Sequence, residues 1–203
     1  MSDYEVAKLQ KRAKSLIKIN KIATFLAVVW SLYLIFFPFF PNVILALENK
    51  NSSGEIPEFV LNAIEKSQEN QLIIPSIGVS QKIVEGTSIK GVGDNVWRRP
   101  FTSTPDKGSN TVLVAHRYRS IGGQRSSTFY HLPKMELGDR AFVYWEGVLY
   151  VYETYDTEVV LPTQVEIESP TIENELTLYT CTPLYTSTHR HVVHLKLSKK
   201  INI

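Results

Sequence analysis

Three side chains in this sequence could together carry out acyl transfer. Cys181 is the chain's single cysteine, and a thiol becomes a strong nucleophile once it loses its proton. His116 can take up and return a proton near neutral pH. Arg190 keeps its charge at any working pH and presents a planar fork of N–H donors. A thiolate would attack a carbonyl carbon, the imidazole would protonate the departing amine, and the guanidinium would stabilise the oxygen that becomes charged. One oxyanion donor of this kind lowers the barrier by roughly 3–4 kcal/mol.

Each of the three stands where a strand ends. Leu176-Thr177-Leu178-Tyr179-Thr180-Cys181 has the β-branched and aromatic texture of a strand, and Pro183 closes it. With a period of two, Leu178 and Thr180 face one side and Thr177, Tyr179 and Cys181 the other. Residues 182–189 form a loop into a final strand that Arg190 opens. On that strand Val193, Leu195 and Leu197 share one face, and Val192, His194 and Lys196 the other, which puts Arg190 away from the core. If these two strands pair, the short loop brings Cys181 and Arg190 together. His116 closes a third run, Thr111-Val112-Leu113-Val114-Ala115-His116, ahead of a polar loop containing Gly122 and Gly123. Reactive groups gathered at strand ends of a rigid sheet are held in place by the sheet itself.

Composition narrows the alternatives. One cysteine excludes an intramolecular disulfide and a Cys-based zinc cluster. A lone cysteine is either a buried structural thiol or a nucleophile, and its position at a strand terminus favours the second. His189, His191 and His194 crowd the last strand, but parity sets His189 and His191 opposite His194, so the three do not converge on a metal. His131, between aromatics in a briefly helical stretch, reads as structural. No metal and no cofactor is expected. The formal charge of +2 on 203 residues gives no footprint of a nucleic-acid binder.

The elements that must position these groups fall into four segments. Residues 1–21 are a basic, helix-compatible arm in which Lys8, Lys11, Arg12, Lys14, Lys18 and Lys21 stand against only Asp3 and Glu5. Residues 22–47 carry no charge and are long enough to cross a bilayer, with Pro38 and Pro41 kinking or ending the helix. A cleaved leader would have a shorter apolar run and a small-residue cleavage site, so a retained transmembrane anchor is the expectation. The excess of Lys and Arg before the span, against Glu48 and Lys50 after it, places the N-terminus in the cytoplasm and the remainder outside. Residues 48–70 read as an extracellular linker with a short helix over 57–67 in which Phe59, Val60 and Ile64 share a stripe. Residues 71–203 are all-β, with seven or eight strands punctuated by Gly, Pro, Asp and Asn, as in a barrel or sandwich. Glu146-Gly147 marks a tight hairpin, and only 126–137 looks helical, limited by Pro133.

These residues carry a family resemblance. Thr177-Leu178-Tyr179-Thr180-Cys181 resembles the TLxTC signature of the sortases. Arg190, followed by Val192 and Val193, is similar to that family's essential arginine, and His116 at the end of VLVAHR to its catalytic histidine. IPSIGVSQKIVEG, PDKGSNTVLVAHR and TFYHLPKMELGD extend the likeness over about residues 72–198. The order and separation of the three residues make the match specific in a way that TLxTC alone is not.

The resemblance implies a closed eight-stranded β-barrel with short helices and an active site in a groove on its wall. It implies His116, Cys181 and Arg190 as catalytic residues and Ala115, Thr180 and Thr182 as substrate-binding positions. It further implies cleavage of a sorting motif after Thr, followed by transfer of the acyl group to an amine. The partners would be sorting-signal-bearing surface proteins or pilins, with a cell-wall peptide or a lysine as acceptor. The setting would be a prokaryotic plasma membrane, crossed once. Ala115 departs from the family's usual Gly and is expected to narrow the groove slightly. No Asp-Pro-aromatic lid segment is present, which points to a housekeeping or class D/E-like member rather than a pilin polymerase. A thiol peptidase that gives its acyl group to water, and a non-catalytic tethered barrel, remain the competing readings.

Overall fold

A computed structural model of the chain describes residues 3–36, 56–89, 92–121 and 124–203. The chain divides into two units, Met1–Asn51 and Ser52–Ile203.

In the first unit helix α1 (Asp3–Phe36) runs unbroken through the expected boundary at residue 21. Its stretch Leu16–Tyr33 is long and apolar enough to cross a membrane; at 1.5 Å per residue such a helix covers about 27 Å. Leu16, Ile17, Ile19, Ile22, Phe25, Leu26, Val28 and Val29 are all exposed. An apolar surface all round a helix suits lipid rather than water. The hydroxyls of Thr24 and Ser31 donate to the carbonyls of Asn20 and Ala27 one turn back, so neither is left unpaired. The rest of the expected span, 37–47, lies outside the described residues, as do Pro38 and Pro41.

The second unit is a closed barrel. Among the described residues its ten strands are β1 (Gln71–Ile74), β2 (Val79–Val84), β3 (Val96–Arg98), β4 (Asn110–Val114), β5 (Arg119–Ile121), β6 (Gln124–Ser126), β7 (Arg140–Trp145), β8 (Val148–Val160), β9 (Glu175–Thr182) and β10 (His189–Asn202). Eight of them close the barrel in the order β1-β2-β3-β4-β9-β10-β8-β7, and β5 and β6 form a separate hairpin. The β2–β3 and β4–β9 pairs are parallel and the other barrel pairs antiparallel. The β7–β8 hairpin turns on Glu146 and Gly147, both at positive φ (47° and 84°). That is the type I′ geometry whose twist matches its flanking strands. Helical structure within 126–137 shrinks to one 3-10 turn at Leu132–Lys134.

Alternation sorts the side chains. Leu72, Leu113, Ala115, Leu176, Leu178, Val193 and Leu195 fill the interior together with Tyr150 and Tyr152. The Tyr152 hydroxyl donates to Asn174 at 2.8 Å, which satisfies a polar tip that burial would otherwise leave unpaired. Two patches of the outer face are covered as well. Helix α2 (Glu58–Ser67) lays Val60 and Ile64 on Ile73, Phe142, Leu149 and Val151, worth roughly 1.5–3 kcal/mol for each side chain buried. The short helix expected over 57–67 is thus packed on the domain. Phe59 departs from the expected stripe and stands 41% exposed. It lies one residue, about 100° of helical rotation, away from the Val60–Ile64 line. The second covered patch is Trp97, Val112, Val114, Tyr179, Val160 and Val192, against which Ile167 packs. Every β4 residue is buried for that reason, with the core on one side and the segment 161–169 on the other.

Candidate active site

The geometry of the site follows from strand register. Cys181 and Arg190 are direct partners across the antiparallel β9–β10 pair, where opposing Cα atoms lie about 4.5–5.5 Å apart. β4 runs parallel to β9, with Val114 beside Tyr179. One residue further on, the Thr180 hydroxyl donates to the Ala115 carbonyl at 2.8 Å. Two residues further on, His116 and Cys181 leave neighbouring strand ends at the same level, on strands spaced about 4.8 Å apart. His116 thus follows the end of β4, beside Cys181 of β9 and Arg190 of β10, three neighbouring strands of the barrel. All three line a cavity of about 280 Å³ on the barrel's outer wall. Cys181 is half-buried.

The parity read from the sequence carries over. Tyr179 and Val192 lie on the outer face, and with them Cys181 and Arg190. Arg190 is tethered by its own loop, its Nη1 donating to the carbonyls of His189 (3.0 Å) and Ser187 (3.2 Å). These bonds fix the plane of the fork without consuming all of its five donors.

A second network, which the sequence does not single out, builds the groove's far wall. Arg99 Nε donates to both Glu168 oxygens at 2.9 and 2.8 Å, and the Tyr179 hydroxyl donates to the same carboxylate at 2.7 Å. The Arg99 guanidinium lies 5.4 Å from the Trp97 ring centroid, a cation–π contact. Burial, reinforced by the Glu168 bond, pushes the Tyr179 phenol above its usual range. The Glu168 bond likewise raises Arg99. Tyr179 thus remains a neutral donor and Arg99 a cation at any working pH. Glu168 belongs to the segment 161–169, so this network pins the segment over the strands. Leu161, Pro162, Val165 and Ile167 of that segment supply the apolar side of the cavity. Tyr179 has a signal in the sequence, since it shares Cys181's face. Glu168 closes a short 3-10 turn, Val165–Glu168, too brief for a periodic pattern, and has none.

The inner face holds the remaining expected positions. The Thr180 side chain is 1% exposed and turned toward Ala115, so the groove meets position 180 through its backbone. The Ala115 methyl joins the interior cluster. Ala115 also lines the cavity, between Val114 and His116. Thr182 accepts a 2.6 Å hydrogen bond from Arg117 Nη1. That bond ties the residue after His116 to the residue after Cys181. Behind it is half-buried His191, the cross-strand partner of Thr180. Burial, with the Arg117 charge nearby, pushes His191 below the ordinary imidazole range.

The other histidines are separate from the site. His194 Nε2 lies 3.0 Å from Glu158 on the outer face, and His189 Nδ1 lies 2.9 Å from the Thr188 hydroxyl. His131 is exposed and packs edge-on against Tyr130 at 4.9 Å. Among the described residues no group of three His, Cys, Asp or Glu side chains could hold a metal ion.

A closed barrel with a thiol, an imidazole and a guanidinium on adjoining strand ends defines one kind of protein, and comparison with known proteins agrees. The sortase domain model matches residues 72–198. The chain belongs to the sortase family. It is 31% identical over 138 residues to sortase SrtE2 of Streptomyces coelicolor, covering 60% of this chain and 53% of that protein. The chain thus spans about half the length of that relative. The solved structure of sortase E1 from Streptomyces coelicolor, with a tripeptide in its active site, superposes with a TM-score of 0.58 at 29% identity. That match covers 66% of this chain and 90% of that one. Sortase A of Listeria monocytogenes shares the fold at 22% identity, with a TM-score of 0.58 over 66% of this chain and 89% of its own.

Proposed function

We propose that this chain is a membrane-anchored cysteine transpeptidase acting on the sorting motif of surface proteins. The observation that supports the reading most is that Cys181 and Arg190 are cross-strand partners and line one groove together with His116. The Cys181 thiolate attacks the carbonyl carbon of the motif's Thr. Arg190 donates to the oxygen that gains charge, and the C–N bond breaks as His116 protonates the departing amine. The acyl group is then held as a thioester on Cys181. An incoming amine, relieved of a proton by His116, attacks that thioester; a new amide forms and the thiolate leaves. Ala115, Thr180 and Thr182 act at the substrate through backbone and position, their side chains bracing the two strand ends.

The apolar wall of Trp97, Val114, Leu161 and Val165 suits an apolar side chain of the motif. The α1 helix supports a single-pass anchor. The basic residues before its apolar stretch support a cytoplasmic N-terminus and an external domain, in a prokaryotic plasma membrane. The acceptor is the amine of a cell-wall peptide or of a pilin lysine.

The test is a library of Thr-Gly and Thr-Ala motif peptides, offered to the full chain in detergent with candidate amines and read by mass spectrometry. Ligated product after Thr supports the reading. Hydrolysed product alone, with every amine tried, would make the protein a thiol peptidase. No cleavage of any peptide would leave the barrel as a binding module.

A further inference from the structure

Each of the three residues proposed for catalysis is followed by a polar one, and the three followers gather. Arg117 comes after His116, Thr182 after Cys181 and His191 after Arg190. Alternation turns Cys181 and Arg190 to the outer face, so Thr182 and His191 share the inner face with Thr180. His191 is the direct partner of Thr180 across the β9–β10 pair. That makes it the diagonal neighbour of Thr182, about 7–8 Å away. Arg117 reaches this face from beyond the end of β4 and donates from Nη1 to Thr182 at 2.6 Å. An inner row of Arg117, Thr182 and His191 thus backs the outer row.

Two atoms of the inner row are left over. Arg117 Nε and His191 Nε2 are both buried, and neither has a hydrogen-bond partner among the described residues. Buried polar atoms in folded proteins are almost always paired. These two are complementary, because a guanidinium Nε only donates and the Nε2 of an imidazole protonated at Nδ1 only accepts. They are also close. Burial, with the Arg117 charge nearby, holds His191 below the ordinary imidazole range, so its lone pair is free at neutral pH. The groups that register sets opposite His191 are uncharged: Thr180 on β9 and Val159 on β8. Glu158, next to Val159, turns to the outer face and meets His194.

We propose that His191 is a positioning residue for acyl transfer: its Nε2 accepts a hydrogen bond from Arg117 Nε, directly or through one water, and so locks Arg117 onto Thr182. The inference rests on the transpeptidase reading. Arg117 and His116 are consecutive on one backbone, and Thr182 and Cys181 on another. A slip of Arg117 therefore changes the distance between imidazole and thiol. Such a shift slows the chemical step, while peptide binding in the outer groove stays nearly as it was.

The test measures kcat and KM for cleavage of a Thr-Gly motif peptide by the full chain in detergent. The proteins are wild type, His191→Leu, His191→Gln, Thr182→Val and the variant carrying both His191→Leu and Thr182→Val. Leu keeps the bulk and removes the acceptor, whereas Gln sets an oxygen close to the place of Nε2. Should His191→Leu not fold, His191→Met, more pliant and equally without a strong acceptor, takes its place. The expected result is a kcat about 10-fold lower in His191→Leu at an unchanged KM, with His191→Gln within about 2-fold of wild type. The double variant should lose about as much as Thr182→Val alone, because both substitutions disable one unit. Wild-type kcat in His191→Leu, an equal loss in Gln and Leu, or losses that multiply to about 100-fold in the double variant would overturn the proposal. A wild type that cleaves no peptide would overturn the transpeptidase reading instead. The link is then read without turnover from the Arg117 Nε–H resonance, identified by its loss in Arg117→Lys. It should move and exchange faster with water in His191→Leu; a resonance that stays unchanged would overturn the link itself.

Discussion

Cys181 and Arg190 face each other as a cross-strand pair, so the spacing between nucleophile and oxyanion donor is set by the β9–β10 ladder rather than by a loop. His116 completes the row two residues beyond the end of β4, which pairs in parallel with β9. The relation makes the guanidinium's shape matter as well as its charge. Arg190→Lys places a point charge where a planar fork stood, tethered to two carbonyls. We expect kcat/KM for motif cleavage to fall about 10²- to 10³-fold, with an unchanged melting temperature. Wild-type turnover in this variant would reduce Arg190 to a surface residue.

The bond between Arg117 and Thr182 ties together the residues that follow His116 and Cys181. Thr182→Val removes the acceptor while keeping the shape. Its main effect should be on kcat, on the order of 10-fold for a small displacement of one reacting group, with a displaced kcat–pH profile and a KM close to normal. Thr182→Ser should restore both. Equal loss in Ser and Val would mean that the methyl packing matters and the bond does not.

Glu168 holds Arg99 and Tyr179 at once. Glu168→Ala leaves a mostly buried phenol unpaired and frees the segment 161–169. The expected loss is about 1–3 kcal/mol of stability, seen as a lowered melting temperature, together with a raised KM as the apolar wall loosens. Melting at the wild-type temperature would contradict this account of the wall.

His191 gives the folded domain a pH dependence with a definite sign. Its imidazole is held below the ordinary value of 6.5 by burial and by Arg117. As pH falls through that value, the unfolded chain takes up a proton that the folded chain refuses. Protonation there favours unfolding, so the stability contribution is complete above about pH 6.5. It is lost as pH falls toward the lowered value of the folded state. Thermal melts from pH 7.5 to 5 should show a decline that His191→Gln flattens. Parallel declines in the two proteins would show that other groups, such as His131, set the slope.

Much of this site is legible in the amino-acid sequence. Cys181, His116 and Arg190 stand at or near strand ends because Pro183 and the loop 183–188 interrupt strongly β-forming runs and polar residues follow His116, and local chemistry of that kind is visible residue by residue. Period-two parity puts Arg190 and Tyr179 on the outer face. Strand adjacency is less accessible. The β4–β9 pairing joins segments separated by β5 to β8, and no local pattern encodes it. The place of Ala115 in the core cluster is hidden for a related reason: which side of this run faces the core depends on the barrel closing. β4 is buried along its whole length because both its faces are covered, and Glu168 carries no signal because the partners of a residue in so short a turn are entirely tertiary. The short helix near residue 60 is visible in its apolar stripe, but its packing on β7 and β8 requires the barrel surface to exist.

The central claim is that a thioester forms on Cys181, and it can be weighed directly. The full chain in detergent is mixed with a motif peptide in the absence of an amine, quenched in acid, and its intact mass and peptide map recorded. The account predicts a mass gain equal to the acyl half of the peptide, located on Cys181 and discharged by hydroxylamine or an added amine. It predicts neither adduct nor cleavage in Cys181→Ala of unchanged fold. Cleavage that persists in Cys181→Ala, or an adduct on any other residue, would contradict it.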